Sequence, residues 1–240
     1  MAAADLELHR HHKRVLLVVT SHDQLGNNGE STGFWLSELS HPYFMLHDSG
    51  VEVDIVSIKG GEAVIDPLSM DESDPDNRRF LADDEIRRII GSMPALPEMD
   101  VARYQGIFFA GGHGAMWDFP DDPAVQRAAA AIYEAGHLVA SVCHGPAALV
   151  NVTLSDGNYL LKGRQVTGFS NKEEAAVGLD EVVPFLLQDK LTERGAIYVE
   201  RSPWEEHVIV DGQLITGQNP QSAKPASIAM VKRLRTAESG

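Results

Sequence analysis

Cysteine is almost absent: the 240 residues hold one, Cys143. A single thiol excludes an intramolecular disulfide and any cysteine-rich zinc site. Basic charge is also scarce. With 20 Lys and Arg against 35 Asp and Glu and a net charge of −15, no nucleic-acid partner and no anionic membrane partner is expected. No apolar run approaches the roughly 18 residues needed to cross a bilayer. The opening MAAADLELHRHHKR lacks the apolar core of a secretory signal, so a cytoplasmic protein is the expectation. Neither a P-loop nor a GxGxxG fingerprint occurs, which leaves nucleotide binding without support. With no spaced ligand set either, no metal and no organic cofactor is expected. His9, His11 and His12 read as a polar tail that binds metal only adventitiously.

What is present describes an ordinary buried core. The hydrophobic content is 43%, typical of a globular chain, and the length suits one domain. Residues 1–13 read as a flexible tail and 14–235 as a single α/β domain. Arg14 to Thr20 is a continuous β-branched run of the kind buried on both faces of a parallel sheet. A helix is expected from near Ser31 or Thr32, weakened at Pro42, which cannot donate to the carbonyl of Glu38. Val51 to Ile58 reads as a strand, residues 60–80 as a long surface loop, and Asp83 to Ile90 as a short helix. Ile107 to Ala110 is a third strand. Asp122 with Pro123 opens a helix that Gly136 closes, and Leu138 to Val142 is a fourth strand. Pro146 opens another helix, and one more is expected through Val182 to Leu187. Short strands near Ala196–Val199 and His207–Val210 follow. Asp211-Gly212 signals a hairpin, and a last helix begins near Ser222. Strands alternating with helices imply a mostly parallel sheet covered on both faces.

The informative stretch is Val142-Cys143-His144-Gly145-Pro146. The ordinary reading of a lone cysteine is a small buried hydrophobe. Here, however, a buried strand ends on the thiol and a helix starts about two residues later, which is the layout of a nucleophile elbow. The helix N-terminus predicts a thiol more acidic than the usual value of about 8.5, and His144 stands ready as a base. Gly111-Gly112-His113-Gly114 also ends a buried strand, and its backbone N–H groups suit an oxyanion or substrate oxygen at Gly111, Gly112 and His113. Glu38 follows Phe34 and Trp35 by one helical turn and so borders an apolar face. Desolvation there would raise its pKa until it held a proton near neutrality. Trp117 and Trp204 read as packing residues.

Several further motifs accompany these: Thr32-Gly33 leading to Glu38 and His41-Pro42; Ala110 to Gly114 with Trp117-Asp118; Thr167-Gly168-Phe169 before Glu173-Glu174; and Thr216-Gly217-Gln218-Asn219-Pro220. Together they resemble the ThiJ/PfpI superfamily, and within it the branch of heat-inducible chaperones and glutathione-independent glyoxalases (glyoxalase III). The match runs from Val15 to about Ala226. The resemblance implies a flavodoxin-like three-layer α/β sandwich, a homodimer and no cofactor. It implies a nucleophile at Cys143, a protonated carboxyl at Glu38, and a triad of Cys143, His144 and an acid at Glu174, with Glu173 as the alternative. It also implies conversion of methylglyoxal, a small 2-oxoaldehyde, and water to D-lactate through a hemithioacetal on Cys143. Two readings of other kinds stand beside it: a stress-induced holding chaperone with a redox-sensing cysteine, and a deglycase or cysteine hydrolase of the same superfamily.

Overall fold

The apolar run near the N-terminus forms β1, Arg14–Val19, and its alternate side chains separate onto two cores. Leu16 and Val18 face one, while Val15, Leu17 and Val19 face the other. This is what a central parallel strand requires, since both faces of the sheet are covered. The computed structural model describes residues 12–237. His9, His11 and nearly all of the expected tail lie outside the described residues.

The main sheet has six strands in the order β2-β1-β3-β4-β8-β7. Here β2 is Glu52–Ser57, β3 Gly106–Phe109, β4 Leu138–Val142, β7 Val208–Asp211 and β8 Leu214–Gly217. All neighbours are parallel except β7 with β8, which Asp211-Gly212 joins as the sequence predicts. A small second sheet pairs β5, Gln165–Val166, with β6, Ile197–Tyr198. On one face lie α1 (Ser37–His47), α2 (Pro75–Ala82), α3 (Asp84–Gly91) and α8 (Ala223–Thr236). On the other lie α4 (Ala115–Asp118), α5 (Pro123–Glu134) and α7 (Leu187–Glu193). The remaining α-helix, α6, is Asn171–Ala176. The expected three-layer, flavodoxin-like α/β architecture is therefore present. Among the described residues, no helix is long and apolar enough to cross a membrane.

Four sequence expectations need correction. The helix after β1 starts at Ser37, not near Ser31, because residues 32–34 spend their polar groups on another segment. Phe34 donates to Val64 O and accepts from Asp66 N, and the Thr32 hydroxyl donates to Asp66 Oδ2 at 3.0 Å. Residues 60–80 are not one loop, since Asp74 caps the N–H groups of Asp76 and Asn77 and Pro75 occupies the first turn of α2. Residues 182–186 are not helical. Pro184 lacks the donor and disfavours helix in the residue before it, and α7 begins only at Leu187. The helix expected at Pro146 is a five-residue 3-10 turn, Gly145–Leu149. Pro42, by contrast, is accommodated inside α1, which runs on to His47.

Candidate active site

Three neighbouring strands deliver the chemistry at their carboxyl ends: β1 through its loop to Glu38, β3 into Gly111-Gly112-His113, and β4 into Cys143. This edge, where chain connections diverge to either side, is the usual ligand crevice of an open parallel sheet. Cys143 has φ 60, a left-handed conformation that a residue with a side chain adopts only at a cost of about 1–3 kcal/mol. Two hydrogen bonds hold it there: its N–H donates to Gly217 O and its carbonyl accepts from Phe169 N, each at 2.9 Å. Gly145 lets the turn close, because a Cβ there would lie 2.2 Å from Phe109 O. The elbow thus points the thiol into a cavity of about 420 Å³, lined by Trp35, His41, Gly112, His113, His144, Phe169 and Trp204 among others.

Glu38 is buried in the first turn of α1. Its Oε1 accepts from Gly111 N at 2.9 Å, while Oε2 is sealed and has no nitrogen or oxygen partner. Burial drives its pKa from 4.5 up to about 8, and the hydrogen bond from Gly111 N–H, with a smaller effect of the neighbouring Cys143 thiol, only partly opposes the rise. The carboxyl therefore carries a proton at neutral pH. Its desolvation comes from packing of this first turn against the sheet edge, and not from the helical spacing to Phe34 and Trp35, which lie before the helix.

The bond from Gly111 also corrects one expectation. That N–H is committed to Glu38 and is not free for an oxyanion. Gly112, at φ 105, has an N–H without an acceptor among the described residues. A Cβ there would lie 2.2 Å from Gly33 O.

His144 lies beside the thiol, its Nδ1 3.5 Å from Cys143 Sγ and its Nε2 2.6 Å from Glu174 Oε2. The other oxygen of Glu174 meets His113 Nε2, also at 2.6 Å, and the two imidazole centroids are 4.1 Å apart. Burial alone would raise the Glu174 pKa, but the charge on His144 and the hydrogen bonds from both imidazoles outweigh it and bring it to about 2. Burial lowers His144 below its ordinary value, and the neighbouring His113 imidazole adds to the effect.

The expectation of an acidic thiol is not met. Burial pushes Cys143 well up, and the charges of Glu38 and Glu173 add to the rise against the N–H of His144. A five-residue 3-10 turn supplies too little of a helix dipole to reverse this. A protonated Glu38 removes one of those charges, so the acidity of the thiol depends on where the Glu38 proton sits.

The two adjacent glutamates have separate tasks. Glu173 points away from His144 into a cage of donors: Ser170 N and Oγ, Gln218 Nε2, Asn219 Nδ2 and Trp204 N. The signal was legible, because Ser170-x-x-Glu173 is a capping box, the mark of a structural carboxyl at the third helical position. Trp204, read first as a packing residue with pocket lining as the alternative, is 40% exposed and forms part of the cavity wall beside Phe169. Its backbone, at φ 67, gives no sign in the sequence. Trp117 does pack, stacked on His22. His41, whose Nε2 is 2.6 Å from Asp74 Oδ2, also lines the cavity and was missed as a lining residue.

A family model described as the DJ-1/PfpI family matches residues 31–233. The chain belongs to this family. It is 32% identical over 238 residues to a Saccharomyces cerevisiae protein named glutathione-independent glyoxalase HSP31, covering 93% of this chain and 98% of that one. Among solved structures, the Francisella tularensis Rapid Encystment Protein 24 KDa superposes with a TM-score of 0.90 at 46% identity, over 92% of this chain and 99% of the other. Glyoxalase III from Candida albicans superposes at 0.86 with 27% identity, over 92% and 97%. Among the described residues of this DJ-1/PfpI chain, two groups of side chains stand close enough to share a cation: His113, His144 and Glu174, and His41, Asp74 and Asp76. In the first, each Nε2 is hydrogen-bonded to the carboxylate. In the second, His41 bonds Asp74 and Lys224 pairs with Asp76 at 3.3 Å.

Proposed function

We propose that this chain is a glutathione-independent glyoxalase that converts methylglyoxal and water to lactate on Cys143. The observation that carries the reading is a buried carboxyl, Glu38, driven to about pKa 8 beside the one thiol of the chain. Similarity to proteins named glyoxalases supports it. As substrate enters, His144 Nδ1 takes the thiol proton and Sγ bonds the aldehyde carbon, whose oxygen takes the Glu38 proton, giving a hemithioacetal and leaving Glu38 ionised. The imidazolium that forms is stabilised by Glu174, an ionised acceptor on its other nitrogen. The next step moves a proton from the former aldehyde carbon through the Glu38 carboxylate to the adjacent ketone carbon, while the ketone oxygen takes the proton of the His144 imidazolium and the hemithioacetal hydroxyl returns its proton to Glu38. It needs a group that both accepts and donates near neutrality, and Glu38 meets that requirement. The product is a lactoyl thioester, which water hydrolyses. The cavity is wide for a three-carbon substrate, and its apolar walls at Trp35, Phe169 and Trp204 favour a small neutral ketoaldehyde over an ion.

The test is D-lactate formation from methylglyoxal by purified protein without glutathione, with Cys143→Ala and Cys143→Ser as controls. Wild type is expected to turn over and both variants to be inert. No D-lactate from wild type, or comparable rates from either variant, overturns the reading.

A further inference from the structure

Glu174 holds two imidazoles, while attack by Cys143 uses only one. An ionised carboxylate can only accept hydrogen bonds, so His144 and His113 must both present Nε2–H to it at 2.6 Å. That fixes both tautomers, and in each ring the lone pair is left on Nδ1. In His144 it faces Sγ at 3.5 Å in a ring only 1% exposed. Once the sulfur is acylated, this nitrogen is closed in behind the thioester. In His113, Nδ1 has no partner among the described residues, nor is it one of the sealed polar atoms. The ring borders the cavity next to Gly112 and Cys143.

We infer that His113 is the general base of the second half-reaction, activating the water that hydrolyses the thioester on Cys143. This rests on the glyoxalase reading above. Nδ1 of His113 removes one proton from water as the water oxygen bonds the thioester carbonyl carbon. The C–S bond then breaks, and Sγ leaves with the electron pair and recovers the proton from the imidazolium. The lactic acid released gives its carboxyl proton to solvent. No oxidant or reductant is needed, since the thioester carbon is already at the carboxylic acid level. One carboxylate between two rings 4.1 Å apart also orders the events. Two imidazolium ions at that separation repel each other, so His144 must give up its proton before His113 takes one.

The variant of choice is His113→Gln, whose amide nitrogen reproduces the Nε2–H donor to Glu174 but offers no base. The first turnover should survive as a burst of methylglyoxal consumption equal to the active sites, after which the steady rate falls by about 10²-fold or more. Hydroxylamine should then trap lactohydroxamate in proportion to enzyme, whereas a hemithioacetal would revert on dilution. His113→Asn, smaller than the residue it replaces, provides a second variant in which added imidazole should restore turnover. A merely structural role would lower the burst and the steady rate together and would give neither hydroxamate nor rescue. A folded variant with unchanged turnover, or a slow one without a burst, overturns the inference while wild-type D-lactate production leaves the glyoxalase reading intact. Absence of D-lactate from wild type overturns both.

Discussion

At the scale of single residues, the thiol of Cys143 and the carboxyl of Glu38 each hold a proton at neutral pH. Both groups are buried, and burial raises both pKa values. Above pH 8 the Glu38 carboxylate would stand beside a sulfur that is itself trying to ionise. Glu38→Gln keeps an acceptor for Gly111 N–H and a donor toward sulfur, yet carries no charge and moves no proton. Iodoacetamide should therefore alkylate Cys143 in this variant faster than in wild type above pH 8, while methylglyoxal turnover falls by about 10²-fold or more. Full activity in Glu38→Gln would mean that His144 or water moves the proton between the substrate carbons. Alkylation no faster than in wild type at high pH would mean that sulfur does not feel the carboxylate.

At the scale of elements, α6 shows how one helical turn divides labour between neighbouring side chains. Residues one apart on a helix point about 100° apart, so Glu173 and Glu174 cannot both reach His144. Glu173 turns back to cap its own helix and gathers the segments at Gln218, Asn219 and Trp204. Glu174 turns toward the imidazoles. Glu173→Ala would strand four residues' donors in a buried site and should cost about 3–5 kcal/mol of stability, seen in the denaturant midpoint. Glu174→Gln also gives up the stability that its ionised carboxylate holds against the two imidazoles, so its midpoint should fall too, and turnover per folded molecule is what separates the two variants. In Glu174→Gln turnover should drop by roughly 10²-fold or more, because an amide cannot accept from two imidazoles and fix both tautomers. Wild-type turnover per folded molecule in Glu174→Gln, with its loss in Glu173→Ala, would reverse the assignment.

At the scale of the whole molecule, two displaced pKa values shape stability against pH in opposite senses. The Glu38 pKa is raised, from 4.5 to about 8. Between those values the folded state keeps a proton that the unfolded chain has lost, so stability falls as pH rises through this window. The Glu174 pKa is depressed to about 2, so its contribution is complete above about pH 4.5 and is lost as pH falls toward 2. At about 1.4 kcal/mol per unit, the Glu38 effect amounts to a few kcal/mol. In Glu38→Gln the decline in unfolding free energy from pH 5 to 8 should flatten. An unchanged profile would show that Glu38 is already ionised in the folded protein. A second prediction at this scale concerns metal. The His and carboxylate groups that could share a cation already bond one another or pair with Lys224, so exhaustive EDTA treatment and desalting should leave turnover intact. A loss that zinc reverses would make them ligands.

The amino-acid sequence by itself determined the parallel sheet, the elbow and the family. Those depend on local signals: runs such as Leu16–Val19 that have no polar side to expose, Pro and Gly at turn positions, and a cysteine at the junction of strand and turn. It also named Cys143, His144, Glu38 and Glu174 as the residues to watch. Tertiary structure decided what local pattern does not encode. Desolvation depends on what the rest of the chain packs over a group, so burial raised the thiol that the local pattern predicted to be acidic. A backbone donor can serve one strong acceptor, so Gly111 N–H went to Glu38 and not to substrate. The direction in which a side chain leaves its helix separated Glu173 from Glu174. Residues 61 positions apart met on one carboxylate oxygen at Glu174 and His113, a contact that only the assembled sheet edge could make.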